Sequence, residues 1–151
     1  MSAPYTAMQV ACWFLVRNRE AITERDAELI SNMKLQKLLY YAQGAYMAIM
    51  GGLLFDDPIL AWTHGPVVGN VYHRFKVFGS NGIDVDDLDY PEFDAETEGI
   101  LAQVYDVFGQ YSAWKLREMT HEETPWKSTE QGKAIDQDTI KRYFLENYID
   151  E

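Results

Sequence analysis

Residues 32–51 read NMKLQKLLYYAQGAYMAIMG, and the spacing of their apolar positions decides the fold. Leu35, Leu38, Leu39, Ala42, Tyr46 and Ile49 recur at steps of three and four, the stripe of a helix with one face in a core. Met33, Lys37, Tyr41, Gly44 and Ala48 form a second stripe beside the first. A helix with two such stripes has neighbours on more than one side, so it is expected at the centre of the domain. Asn32 is expected to cap its first turn, where backbone N–H groups lack acceptors. Gly51-Gly52 is expected to end it, because a helix stop favours a residue tolerant of positive φ.

On the N-terminal side, residues 7–17 predict a helix with Met8, Ala11, Cys12, Leu15 and Val16 on one face. Residues 18–31 are more polar, with Ile22, Leu29 and Ile30 to anchor a connection or a short helix. On the C-terminal side the pattern shortens. Leu53-Leu54-Phe55 and Ile59-Leu60-Ala61-Trp62 flank Asp56-Asp57-Pro58, which predicts a short β-hairpin at about 53–63 packed on helices. Gly65-Pro66 then predicts a helix start, Gly65 at the cap and Pro66 at the first helical position. Val67, Val68, Val71, Tyr72, Phe75 and Phe78 carry its apolar face, and Gly79 ends it.

Residues 84–98 hold eight acids (Asp84, Asp86, Asp87, Asp89, Glu92, Asp94, Glu96, Glu98) and no Lys or Arg. Such a block is either a solvated loop whose last acids favour the next helix start or a docking patch for a basic partner. The next helix is expected from Asp94 or Ala95 to Gly109, with Ile100, Leu101, Val104, Tyr105 and Phe108 inward. Ser112 caps a shorter helix through Met119, residues 121–129 (HEETPWKST) read as a loop, and Asp136 or Asp138 caps a last helix carrying Ile140, Tyr143, Phe144 and Tyr148. The fold class is therefore mainly α (α+β), a compact helical domain with one β excursion.

Bulk properties bound the function. A chain of 151 residues with 47% hydrophobic and 14% aromatic content is expected to form one domain, residues 1–151, with a full core. Its net charge of −11 opposes a phosphate backbone and suits a basic protein partner. Cys12 is the single cysteine, which excludes an internal disulfide and a cysteine-based zinc cluster. The sequence has no apolar run of membrane-spanning length and no signal-peptide pattern, so a cytoplasmic protein is expected. The HEETP sequence lacks the second His of a zinc-protease helix and carries Pro125 in its place. A metal site joining His64, His73 and His121 has no supporting spacing. With no nucleophile elbow, P-loop or dinucleotide fingerprint either, no catalytic, cofactor-binding or metal-ligating residue is assigned and no enzyme is expected; a hydrolase using His64 or His121 with nearby carboxylates is the lesser alternative.

His64 lies in 61–68, AWTHGPVV, where an extended arm meets the expected helix start. It either hydrogen-bonds the local backbone and fixes that corner, or faces a groove in which an acidic group docks. His121 and Trp126 either pin their loop to the body or share that groove.

Residues 34–43 (KLQKLLYYAQ), Leu54-Phe55-Asp56-Asp57, 61–68 (AWTHGPVV), Val71-Tyr72 and Phe75-Lys76 resemble, in order and spacing, the Panacea domain family of SocA-like antitoxins and GepA-like phage-associated proteins. Leu116, Met119-Thr120-His121, Pro125-Trp126, Ile140-Lys141 and Tyr143-Phe144 extend the resemblance, which runs from about residue 5 to 148. The acidic 84–98 segment lies outside it. The resemblance implies the antitoxin of a toxin–antitoxin pair, which neutralises its toxin by direct contact; delivery of the toxin to a ClpXP-type protease is the second mode it implies. A basic toxin would be steered by the −11 charge, and a tight complex needs a buried aromatic or apolar centre. The expected partner-binding residues are Trp62, His64, Gly65, Pro66, Val67, Tyr72, His121 and Trp126.

Overall fold

The computed structural model describes residues 3–24, 28–85 and 88–149. Chain order is α1 (Ala7–Glu24), α2 (Asn32–Met50), β1 (Leu60–Trp62), β2 (Gly65–Val67), α3 (Gly69–Phe75), a 3₁₀ turn (Lys76–Phe78), α4 (Ala95–Phe108), α5 (Ala113–Glu122), α6 (Thr124–Lys127) and α7 (Gln137–Asn147). The mainly α class with one short hairpin holds. No helix among the described residues is long and apolar enough to cross a membrane.

The hub is α2, against which α1, α3, α4, α5, α7 and β2 all pack. Leu35, Leu38, Leu39, Tyr40, Tyr41 and Ala42 are fully buried, each large apolar side chain contributing about 1.5–3 kcal/mol by its removal from water. Gly44 permits the close approach of α7: a Cβ there would lie 2.3 Å from the Phe144 ring. Tyr41 stacks on Phe108 of α4 at 3.9 Å and meets Phe144 and Tyr148 edge-on. The stripe runs out in the last turn, where Ile49 is 48% exposed beside Val104, Val107 and Ile149.

Polar residues of α2 hold the non-helical segment that follows. Gln43 donates from Nε2 to the Phe55 carbonyl and accepts from Leu54 N–H, both at 2.8 Å. Gln36, two helical turns earlier, accepts from Val68 N–H at 2.9 Å. These buried side chains supply the partners that backbone groups outside a helix or ladder require.

That arrangement corrects the expected hairpin boundaries. Residues 53–55 bond to the Gln43 amide and, through the Leu54 carbonyl, to Tyr5 N–H, with Phe55 in an isolated parallel bridge to Tyr5, so they form no hairpin arm. Asp57 is not turn chemistry: it accepts from Ala7 N–H at the start of α1 and from Asn70 Nδ2. The hairpin is β1 with β2, at 60–67, pairing Leu60 with Val67, Ala61 with Pro66 and Trp62 with Gly65. Gly65-Pro66 therefore sits in a strand, and α3 starts only at Gly69. Pro66 is tolerated because Ala61 turns its own N–H and carbonyl away, to Lys133 O and Gly132 N–H on the other edge, leaving Ala61–Pro66 a pair that exchanges no ladder bonds.

Other boundaries also shift. Ser31, not Asn32, caps α2 through Lys34 N–H; Asn32 is the first helical residue, buried, donating to the Tyr72 carbonyl and accepting from Gln36. Helix α1 runs seven residues past Arg17, and Asn18 on it ties down the connection to α2 through Glu28 O and Ile30 N–H. Within α1, Val10 and Phe14 are fully buried, whereas Met8 and Val16 are half-buried. Asp94, Ser112 and Asp136 cap α4, α5 and α7 as expected. In the acidic segment Asp84 pairs with Arg19; Asp86 and Asp87 lie outside the described residues. The expected 121–129 loop is instead the end of α5 followed by the single turn of α6, in which Pro125 occupies a first-turn position that has no N–H to satisfy.

Candidate functional site

The hairpin turn Thr63–His64 is held by side chains of α5, α6 and the loop after them. Trp126 Nε1–H donates to the Trp62 carbonyl at 2.8 Å, and His121 Nε2–H donates to the Thr63 carbonyl at 2.9 Å. Gln131 Nε2 donates to Thr63 Oγ1, and Arg117 Nε–H donates to His64 Nδ1 at 3.1 Å. His121 and Trp126 lock each other edge-on at 4.0 Å. Arg117 also lies over the exposed Trp114 ring at 4.7 Å, a cation–π contact.

In front of the turn is a cavity of about 800 Å³, walled by the first turns of α2, the hairpin, the end of α3 with its 3₁₀ turn, and the start of α5. Trp62, Tyr72 and Trp114 supply its aromatic surface, with Trp62 and Tyr72 edge-on at 5.1 Å. Its basic lining residues are Lys37, Lys76 and His64, and no Asp or Glu is among the described residues that line it.

Lys37 is 1% exposed, and among the described residues its ammonium has neither a hydrogen-bond acceptor nor an ion-pair partner. Burial, and after it the nearby Arg117 charge, lowers its pKa to about 7. The lysine packs directly under Gly65, where a Cβ would lie 2.6 Å from Lys37 Cε and where φ is +115°. Glycine is required there on both counts.

A second buried charge lies at the α5–α6 junction. Glu123, 3% exposed, accepts from the hydroxyls of Tyr40 (2.8 Å), Tyr41 (2.9 Å) and Tyr148 (2.5 Å). Burial raises its pKa, and the three hydroxyl donors oppose that rise. The three phenols are themselves held above their ordinary range, by burial first and then by the carboxylate. This cluster fastens α2, α5 and α7 together behind the turn.

Of the eight candidate residues, Trp62, His64, Val67 and Tyr72 line the cavity. Gly65 and Pro66 are buried in β2 behind them. His121 and Trp126 are not among the described lining residues and bond the carbonyls of Thr63 and Trp62 at the turn. The three histidines have separate contacts: His64 with Arg117, His121 with Thr63, and His73 with the Trp62 and Tyr72 rings. Among the described residues no group of three or more His, Cys, Asp or Glu side chains is arranged to hold a metal ion. Lys37, Trp114, Lys76 and Met33 also line the cavity without having been singled out as site residues. For Lys37 the signal was present, a lysine inside an otherwise apolar helical stripe.

Residues 35–127 match the family model described as Antitoxin SocA-like, Panacea domain. A 50-residue stretch is 44% identical to Antitoxin SocA of Caulobacter vibrioides (strain NA1000 / CB15N); it covers 33% of this chain and 27% of that protein. No solved structure matches the chain. The family match begins at Leu35 in α2, runs through the hairpin and ends at Lys127 in α6. On that match, the chain belongs to the SocA-like antitoxin family and carries its Panacea domain.

Proposed function

We propose that this protein is an antitoxin that neutralises a partner toxin by direct protein–protein contact, with the cavity face as the contact surface and residues 1–151 acting as one domain. Family membership supports the antitoxin role. The observation that carries the choice of surface is the aromatic-lined cavity, walled largely by elements inside the family match. Trp62, Tyr72 and Trp114 offer the kind of desolvated aromatic anchors that dominate interface energetics. His121 and Trp126 contribute by positioning the turn. The −11 charge steers a basic partner and speeds encounter.

The test is co-expression with the adjacent reading frame. That frame alone should stop growth, this protein should restore it, and the two should co-purify. The lifetime of the toxin separates the modes: an unchanged half-life is expected for sequestration, and a half-life shortened only when a ClpXP-type protease is present would replace it with delivery. Failure of the wild-type protein to restore growth would overturn the antitoxin reading.

A further inference from the structure

The cavity contradicts the charge of the molecule around it. The chain carries −11, yet the described lining has two lysines, one histidine and no acid. Two helix N-termini open onto it: Asn32 and Met33 begin α2, and Ala113 and Trp114 begin α5. Their first-turn N–H groups have no acceptor within the helix and add positive potential. The independent observation is Lys37, whose residue is 1% exposed and whose ammonium has no partner among the described residues. A buried cation without a counter-ion is costly to keep, and a carboxylate arriving from outside would complete it.

Resting on the antitoxin reading, we propose that the cavity is a receptor for a glutamate or aspartate side chain of the partner, its carboxylate against the Lys37 ammonium and an adjacent apolar residue against Trp62 and Tyr72. Charge complementarity selects this occupant over a basic segment. The long-range field then brings in a basic protein, and the cavity accepts it only where an acidic side chain is presented in register. Attraction at a distance and selection at contact have opposite signs, which favours one docking orientation over others.

Two blocked dipeptides serve as probes, N-acetyl-Trp-Glu-amide and N-acetyl-Trp-Gln-amide, titrated by NMR against the intact protein at low salt. The acid should bind at least tenfold tighter than the amide. The side-chain ¹⁵Nζ and ¹³Cε resonances of Lys37 should move with the acid and not with the amide, a readout that needs no variant. In Lys37→Met, checked for its fold by spectrum and melting, the two peptides should bind alike. Equal binding to wild type, a Lys37 signal that stays still, or a preference that survives Lys37→Met would each overturn the receptor. Displacement of the acid peptide by inorganic phosphate at equal or lower concentration would also overturn it, in favour of a free-anion site. A protein that restores growth but shows no acid preference loses the receptor alone; one that prefers the acid but never restores growth loses the antitoxin reading alone.

Discussion

Replacing Lys37 with Met isolates the buried amine. Its folded pKa is about 7, lowered by burial and then by Arg117, whereas an unfolded lysine titrates near ~10.4. The folded value is the lower one. Between the two the unfolded chain holds the extra proton, so stability rises as pH rises and is lost again as pH falls through the folded value. Integrating the two titrations from about pH 7 to about pH 8.5 gives roughly 1–2 kcal/mol of added stability, a rise of ~2–8 °C in melting temperature for a chain of this size. At about pH 7 the same linkage puts the cost of the charged amine at ~4 kcal/mol. Met retains the unbranched stem and removes the charge, so the variant should melt above wild type at neutral pH, and the gap should narrow as pH rises. Burial also lowers the pKa of Lys34 and raises that of Cys12, but both proteins contain them. The difference between two thermal-unfolding series followed by circular dichroism therefore reports Lys37. A gap that does not change with pH, or a variant that melts well below wild type at neutral pH, would refute the unpaired lysine.

Glu123→Gln should lower stability by about 2 kcal/mol, because a neutral amide replaces a carboxylate that accepts three hydroxyls; urea denaturation measures it. Gly44→Ala should cost about 1–3 kcal/mol through overlap with Phe144, and Phe144→Leu in the same chain should recover part of that loss in a double-mutant cycle. Gln43→Leu should cost about 2–5 kcal/mol, since it strands Leu54 N–H and the Phe55 carbonyl, and hydrogen exchange at Leu54 should accelerate. Trp126→Phe removes the N–H held by the Trp62 carbonyl and should lower stability by about 1 kcal/mol with a matching loss of toxin affinity.

Much of the scaffold was legible because it is written in local spacing. The α2 stripe, the Asp94, Ser112 and Asp136 caps and the Gly51 stop all depend on residues within one or two turns of one another. The hairpin was displaced because its determinants are distant: residues 53–55 are captured by Gln43 on α2, and Pro66 is tolerated through residues 132–133. The same difficulty hid Glu123, whose partners are Tyr40 and Tyr41 of α2 and Tyr148 at the C-terminal end of α7. The family signature also separates by role. In 34–43, Gln43, Tyr40 and Tyr41 hold the scaffold, Lys37 reaches the cavity wall, and Gln36 does both. In 61–68, Trp62, His64 and Val67 face the cavity, and Gly65 makes room for the lysine beneath it.

The most direct measurement of the central claim is calorimetric titration of the purified toxin into wild type and into Trp114→Ala. Trp114 is 59% exposed on the cavity rim and contacts Arg117, so its removal should leave melting within about 2 °C. Tight binding by wild type, weakened at least ~10-fold in the equally stable variant, is the predicted result. Identical affinities for the two proteins, or no heat of binding with wild type, would contradict the account.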